Sequence, residues 1–208
     1  MNTERLAHPE LVELEVGGVT RASFLVRGAV AAAAVYGTAA AAPFVSSALG
    51  ATTDVDILNF ALTLEYRETD FYQVKAKTVG LTGLAAHDAS NFGMEEAAHV
   101  AALTQAINKS GGTPVPKPTF SFPVTDAKAF LDLAYIVENL GVSAYNGAGP
   151  LLKSKALLAA AGSIVQIEAR HAAAIGLLIG KTPTPSGGFD IAKNMTQVLA
   201  VAGPLIKK

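Results

Sequence analysis

The sequence predicts an all-α fold, a four-helix bundle made of two repeated helical hairpins, on three observations. Apolar residues recur at helical spacing through four long stretches after residue 53. Glycine- and proline-rich breaks separate the stretches, and no segment alternates with period two. Charged and hydrogen-bonding residues recur at matching places in the two halves.

The first helix is expected from Asp54 to about Val79, with Ile57, Phe60, Ala61, Leu64, Phe71 and Val74 on an apolar face. Gly80 and Gly83 break it. The second runs from about Ala85 to Ser110 and stops at "GGTPVPKPTFSFP", whose four prolines exclude a helix. Asp126 caps the third, which runs to about Gly147. After "GAGPLLKS" a fourth runs from about Lys155 to Gly180. "TPTPSGG" reads as a linker, and Asp190 to about Ala202 as a short closing helix. The bundle is thus expected over residues 54–181, with linker and C-terminal helix over 182–208.

Residues 1–53 stand apart as a leader. From Gly28 to Thr53 no residue is charged, and Arg21 and Arg27 precede the run. With Ala-x-Ala options at Ala39–Ala41 this resembles an export signal, which would place the chain outside the cytoplasm or at the cell envelope. "TRASFL" resembles a twin-arginine motif but carries Ala22 where the second arginine belongs. A membrane anchor and an alanine-rich helix packed on the bundle compete with export, and the last of these leaves the chain cytoplasmic. Membrane contact is expected only through residues 20–50, if the leader is retained.

The whole chain has 208 residues, is 50% hydrophobic and 16% charged, and carries a net charge of -1. It has no basic footprint for nucleic acid. Without cysteine it forms no disulfide, cysteine-based zinc site or iron–sulfur cluster.

The acids carry the chemistry. "MEEAAHVAAL" matches "QIEARHAAAI", so Glu96 with His99 and Glu168 with His171 both form Glu-x-x-His. "LEYRETDFY" and "VENLGVSAY" place Glu65 and Glu138 each seven residues before a tyrosine, Tyr72 and Tyr145. The chain is two copies of one hairpin, offset by 72 or 73 residues. The repeat favours Glu96 over Glu95, which is matched by Ile167, and Glu65 over Glu68, which is matched by Gly141. Residues three apart share a helix face, so each pair presents an oxygen and a nitrogen to one point. Four carboxylates balance two divalent cations, and oxygen and nitrogen donors without sulfur suit iron or manganese. Tyr72 and Tyr145 either hydrogen-bond the ligand carboxylates or serve as core aromatics. Glu68 either supports the site or is solvated. His87 is expected to be exposed, Arg67 and Arg170 to face solvent or else to offset carboxylate charge, and the Gly141–Gly147 stretch to allow close helix approach.

Glu65, Glu96-x-x-His99, Glu138 and Glu168-x-x-His171 together resemble the dinuclear carboxylate site of the ferritin-like superfamily. "ILNFALTLEYRETDFY" and "SIVQIEARHAAAI" are most similar to its ferritin-like and desiccation-related proteins. The resemblance covers about Asp54 to Gly180 and fills all six ligand positions. It implies Glu96 and Glu168 as bridges, Glu65 and Glu138 as caps, and oxidase, peroxidase or manganese-catalase-like chemistry with O2 or hydrogen peroxide. A metal-stabilised, stress-protection protein without turnover is the alternative, and iron storage ranks last. Assembly into a homo-oligomer stays open.

Overall fold

A computed structural model describes residues 53–207. The leader expected over residues 1–53, with its arginines and export motif, lies outside the described residues except for Thr53. The described chain is helical. α1 spans Asp54–Asp70 and continues through a π-helical turn, Phe71–Lys75, and a 3-10 turn, Ala76–Thr78. α2 is Gly83–Lys109, α3 is Ala127–Ala148, α4 is Lys155–Leu178 and α5 is Met195–Ala202. No helix among the described residues is long and apolar enough to cross a membrane.

The ends follow from side-chain chemistry. Thr53 and Asp56 form a capping box at the start of α1, each satisfying a backbone N–H of the other. Asp126 accepts from the Ala129 amide at 2.9 Å and starts α3. Ser154 caps α4, and Asp54 adds a second restraint by accepting from the Lys153 and Ser154 amides at 2.8 and 2.9 Å. The closing helix begins at Met195, five residues later than Asp190, where the sequence places it. Asn194 and Gln197 form a capping box there, and the Lys193 amide donates instead to the Ser143 carbonyl of α3 at 2.9 Å. That tertiary bond takes the preceding backbone out of the helix.

α1 packs on α2 and α3 on α4, and the hairpins meet through α1 with α3 and α2 with α4. Tyr145 of α3 reaches Glu65 of α1, while Tyr72, beyond α1, reaches Glu138 of α3. These crosswise contacts require α1 and α3 to run antiparallel. The same holds for α2 and α4, where His99 lies near Glu168 and His171 near Glu96. The two hairpins are therefore related by an approximate two-fold axis.

The long connection between hairpins is not helical but it is held. Asn59 donates to the Thr113 carbonyl at 3.1 Å and accepts from the Val115 amide at 2.8 Å. Lys117 pairs with Asp70. Phe120 forms an antiparallel bridge with Ile206, so the loop and the C-terminal tail fasten each other. Phe122 stands edge-on to Phe71, with ring centroids 5.0 Å apart, and Phe71 stacks on Phe130 at 4.2 Å.

Among the described residues the core consists of two apolar clusters. One holds Ile57, Leu62, Leu64, Ile107 and Tyr145, together with Val198 and Leu199 of α5. The other holds Phe71, Tyr72, Phe92, Phe130 and Ile175. On every bundle helix the buried acids and histidines fall between these clusters along the chain.

The segment leading into α5 lies against α3 at Gly147, where a Cβ would collide with the Lys193 backbone. A backbone segment cannot turn aside as a flexible side chain can. Gly147→Ala is therefore expected to destabilise the protein by about 1–3 kcal/mol, the usual range for overpacking. The check is the urea midpoint of the full-length variant against wild type.

Candidate metal centre

Each bundle helix delivers one or two polar groups to a single point. α1 brings Glu65, α2 brings Glu96 and His99, α3 brings Glu138, and α4 brings Glu168 and His171. All four glutamates are fully buried, and both histidines are buried. Within α2 and α4 the i, i+3 spacing puts acid and imidazole on one face.

Both imidazoles turn Nδ1 inward. His99 Nδ1 lies 3.1 Å from Glu65 Oε2, 3.1 Å from Glu96 Oε2 and 3.3 Å from Glu168 Oε1. His171 Nδ1 lies 2.9 Å from Glu96 Oε1 and 3.4 Å from Glu138 Oε2. Two overlapping donor groups result. One is Glu65, Glu96, His99 and Glu168, and the other is Glu96, Glu138, Glu168 and His171, with the donor atoms of each group within 4.8 Å of one another. Glu96 and Glu168 belong to both.

The donor atoms fit a cation better than they fit each other. Glu96 Oε1, Glu138 Oε2, both oxygens of Glu168 and His171 Nδ1 are buried without a hydrogen-bond partner. The short His171–Glu96 approach lacks hydrogen-bonding angles, so these atoms converge on a point without bonding one another. Unpaired buried acceptors are costly, and a hard or borderline cation among oxygen and nitrogen donors would satisfy them.

Tyr72 and Tyr145 are buried and donate crosswise, Tyr72 to Glu138 Oε1 and Tyr145 to Glu65 Oε1. Each tyrosine thereby holds the outer carboxylate of the opposite hairpin. Burial and the facing carboxylates push both phenols well above their usual value, so they stay protonated and able to donate.

The electrostatics without a cation are strained. Burial, then the neighbouring carboxylates, push Glu96 and Glu168 well above the ordinary carboxylate range. Burial also raises Glu65, but hydrogen bonds with His99, Glu96 and Tyr145 outweigh it and hold this carboxyl below its usual 4.5. Burial pulls the two imidazoles down, yet the carboxylates around them prevail. His99 is pushed up to about 10, and His171 is raised as well.

The structure decides between the alternatives for Arg67 and Glu68 and departs from the expectation for Glu95. Arg67 does not face solvent but offsets a carboxylate: it is 1% exposed and donates through Nη2 to Glu68 Oε1 at 2.9 Å. It leaves the surface because Glu68, also 1% exposed, needs a charge partner in the core. Burial lifts Glu68 to about 8, with Arg67 offsetting only part of the cost. Glu95, set aside because the other hairpin has no counterpart, accepts from His171 Nε2 at 2.6 Å. The contact crosses from α2 to α4, so no spacing within one helix could reveal it. Glu68 did carry a signal, since it shares a helix face with Glu65. His87 is 68% exposed and Arg170 is exposed, as expected. A Cβ on Gly141 would lie 2.7 Å from Glu168 Oε2 and 3.3 Å from Glu68 Oε1, so the missing side chain makes room for carboxylates as well as for a helix.

Comparison with known families now has a site to explain. The family described as "Ferritin-like domain" matches residues 53–181. Comparison with curated proteins found no match. The matched span contains α1–α4 and every residue of the buried acid and histidine cluster. The chain belongs to the ferritin-like domain family.

Proposed function

We propose that the protein holds two divalent metal ions, iron or manganese, and reacts through them with O2 or hydrogen peroxide in stress defence. The single observation behind this reading is the pair of overlapping donor groups that share Glu96 and Glu168. Glu65 with His99 serves one position, Glu138 with His171 the other, and the shared glutamates lie between them. Two such ions, held by these residues, would supply two electrons to O2 or peroxide and would be re-reduced by a second peroxide, itself oxidised to O2, or by an external electron donor.

The chain's own part is to position, neutralise and exclude. Four carboxylates match the charge of two divalent ions, so the loaded centre is electrically balanced in a site that burial otherwise makes expensive. Tyr72 and Tyr145 orient the outer carboxylates and keep hydroxyl protons beside them. An apolar cavity of about 50 Å³, lined by Phe60, Leu64 and Ala144 among others, ends on Tyr145. A more polar surface cleft of about 500 Å³, lined by Gln73, Lys77 and Ser90 among others, includes Tyr72 in its lining. The apolar cavity suits a molecule no larger than the proposed oxidants, whereas the cleft is wide enough for larger ones, and the lining of each includes a tyrosine that holds a ligand glutamate.

A second reading rests on the origin of the ligands. The six candidate groups come from all four bundle helices. Metal would then clamp the bundle as a structural, desiccation-type device without turnover. Stopped-flow mixing of fully metallated protein with peroxide or O2 separates the two readings. Metal-dependent reaction above that of free metal, lost in His171→Ala, supports redox function. No such reaction leaves the structural reading.

Metal content tests the ligand assignment. Glu96→Ala and Glu168→Ala each remove a shared carboxylate, and each is expected to bring elemental analysis below two ions per chain. Loss of binding should be complete in the double variant. Two ions retained in both single variants would remove these glutamates from the ligand set.

Metal removal should also cost stability in a pH-dependent way. A carboxyl whose pKa is raised by folding binds a proton on folding, so its contribution falls as pH rises above the unfolded value. For Glu68 that window runs from 4.5 to about 8, and the upward shifts of Glu96 and Glu168 act in the same direction. His99, raised from 6.5 to about 10, acts in the same direction, its contribution falling as pH rises from 6.5 towards about 10. The downward shift of Glu65 acts below 4.5 and does not oppose this. Chelator-treated protein is expected to melt lower at pH 8 than at pH 5, and the gap to metal-loaded protein to widen at pH 8. Equal melting temperatures at both pH values would contradict a buried, proton-compensated cluster.

A further inference from the structure

The two hairpins supply matching ligands but unequal support behind them. His171 is gripped from two sides. Its Nε2 donates to Glu95 Oε2 at 2.6 Å, and its ring stacks on Phe92 with centroids 4.0 Å apart. Both partners come from α2. The repeat places Ile167 and Ile164 of α4 at the corresponding positions opposite His99. Neither isoleucine can accept a hydrogen bond. Every polar contact of His99 among the described residues is made through Nδ1, and its side chain keeps 11% exposure.

This difference acts on the donor atom. A carboxylate at Nε2 fixes the tautomer in which Nδ1 carries the inward lone pair. It also makes the ring a better electron donor. The Phe92 face holds the ring plane, so less freedom is lost when Nδ1 becomes a ligand. Among the described residues no carboxylate reaches His99 Nε2, and its ring must be ordered with less help.

We propose that Glu95 is a positioning residue for His171 that makes the two metal positions unequal, so that the position served by Glu138 and His171 fills first and more tightly than the one served by Glu65 and His99. This inference rests on the dinuclear reading above, and it concerns the order and strength of loading, not turnover. Glu95 is suited to the role because its side chain is half exposed, so its carboxylate is accommodated without the desolvation cost borne by the ligands. Deleting the carboxylate behind a ligating histidine typically weakens metal binding about 10- to 100-fold.

The test is titration of metal-free, full-length protein with Mn(II), following free ion by electron paramagnetic resonance. Wild type is expected to take up one ion tightly and a second more weakly. Glu95→Gln should weaken the tight class about 10- to 100-fold and leave the weak class within threefold. His171→Ala should abolish the tight class and His99→Ala the weak one. Ile167→Glu, which offers a carboxylate at the corresponding place, should tighten the weak class about tenfold. Two ions bound with equal affinity in wild type would overturn the inequality. Equal weakening of both classes in Glu95→Gln, or no weakening, would overturn the role of Glu95. Failure of wild type to bind Mn(II), and Fe(II) in a parallel anaerobic titration, would remove the dinuclear reading itself, and the inference with it. These failures are distinct in the binding curves.

Discussion

Four carboxylates and two imidazoles sit between two apolar clusters, and the rest of the structure answers that one constraint. Removing an ion from water costs several kcal/mol even after the protein relaxes. Helix geometry can bring the groups together, but only compensation can keep them there. The structure provides it in layers. Tyrosine hydroxyls satisfy the outer oxygens of Glu65 and Glu138. Imidazoles sit among the inner oxygens, and protons are drawn onto Glu96 and Glu168 when no cation is present. Arg67 follows Glu68 into the core for the same reason. Apart from two Arg67 nitrogens, what remains unsatisfied is a set of carboxylate oxygens and one imidazole nitrogen of the ligand cluster, which is the form a cation site takes.

The approximate two-fold symmetry explains how so much charge can be arranged by so few residues. One hairpin design, used twice and turned antiparallel, gives both outer glutamates a tyrosine from the opposite half. It also puts Glu96 and Glu168 at the centre, within reach of both histidines. Symmetry ends directly behind the donors. Glu95, Phe92, Arg67 and Glu68 all belong to the first hairpin, whereas the second offers Ile167, Ile164 and Gly141 where the repeat matches it to Glu95, Phe92 and Glu68. The glycine is not a vacancy, since the carboxylates of Glu168 and Glu68 occupy the space a Cβ would take.

The scaffold makes this precision possible by fixing helix positions from outside the centre. Asp54 ties the start of α1 to the start of α4, and Lys193 ties the approach to α5 onto α3. Asn59 and Lys117 hold the long connection against the α1 side. At the far end of α1 the helix widens into a π turn at Phe71–Lys75, the segment that carries Tyr72 to Glu138. Such turns admit an extra residue and shift the side chains around them, which is why they recur at functional sites.

The sequence by itself determined the four long helices, their breaks, the six candidate ligands and the two tyrosines. These are local matters. A 3.6-residue period puts Glu96 beside His99 and Glu168 beside His171 whatever the helices pack against. The repeat added the correspondence between halves, because two copies of one pattern mark the positions they share. Only the tertiary structure decided which donor faces which. That Tyr72 serves Glu138 and not Glu65, that Glu95 reaches His171, and that Arg67 is buried all depend on the register between helices. Register is set by packing along whole helix faces and by bonds such as that from Lys193 to Ser143, between residues distant in the chain. The repeat even pointed away from Glu95, since a residue that holds a histidine of the other hairpin needs no counterpart in its own pattern.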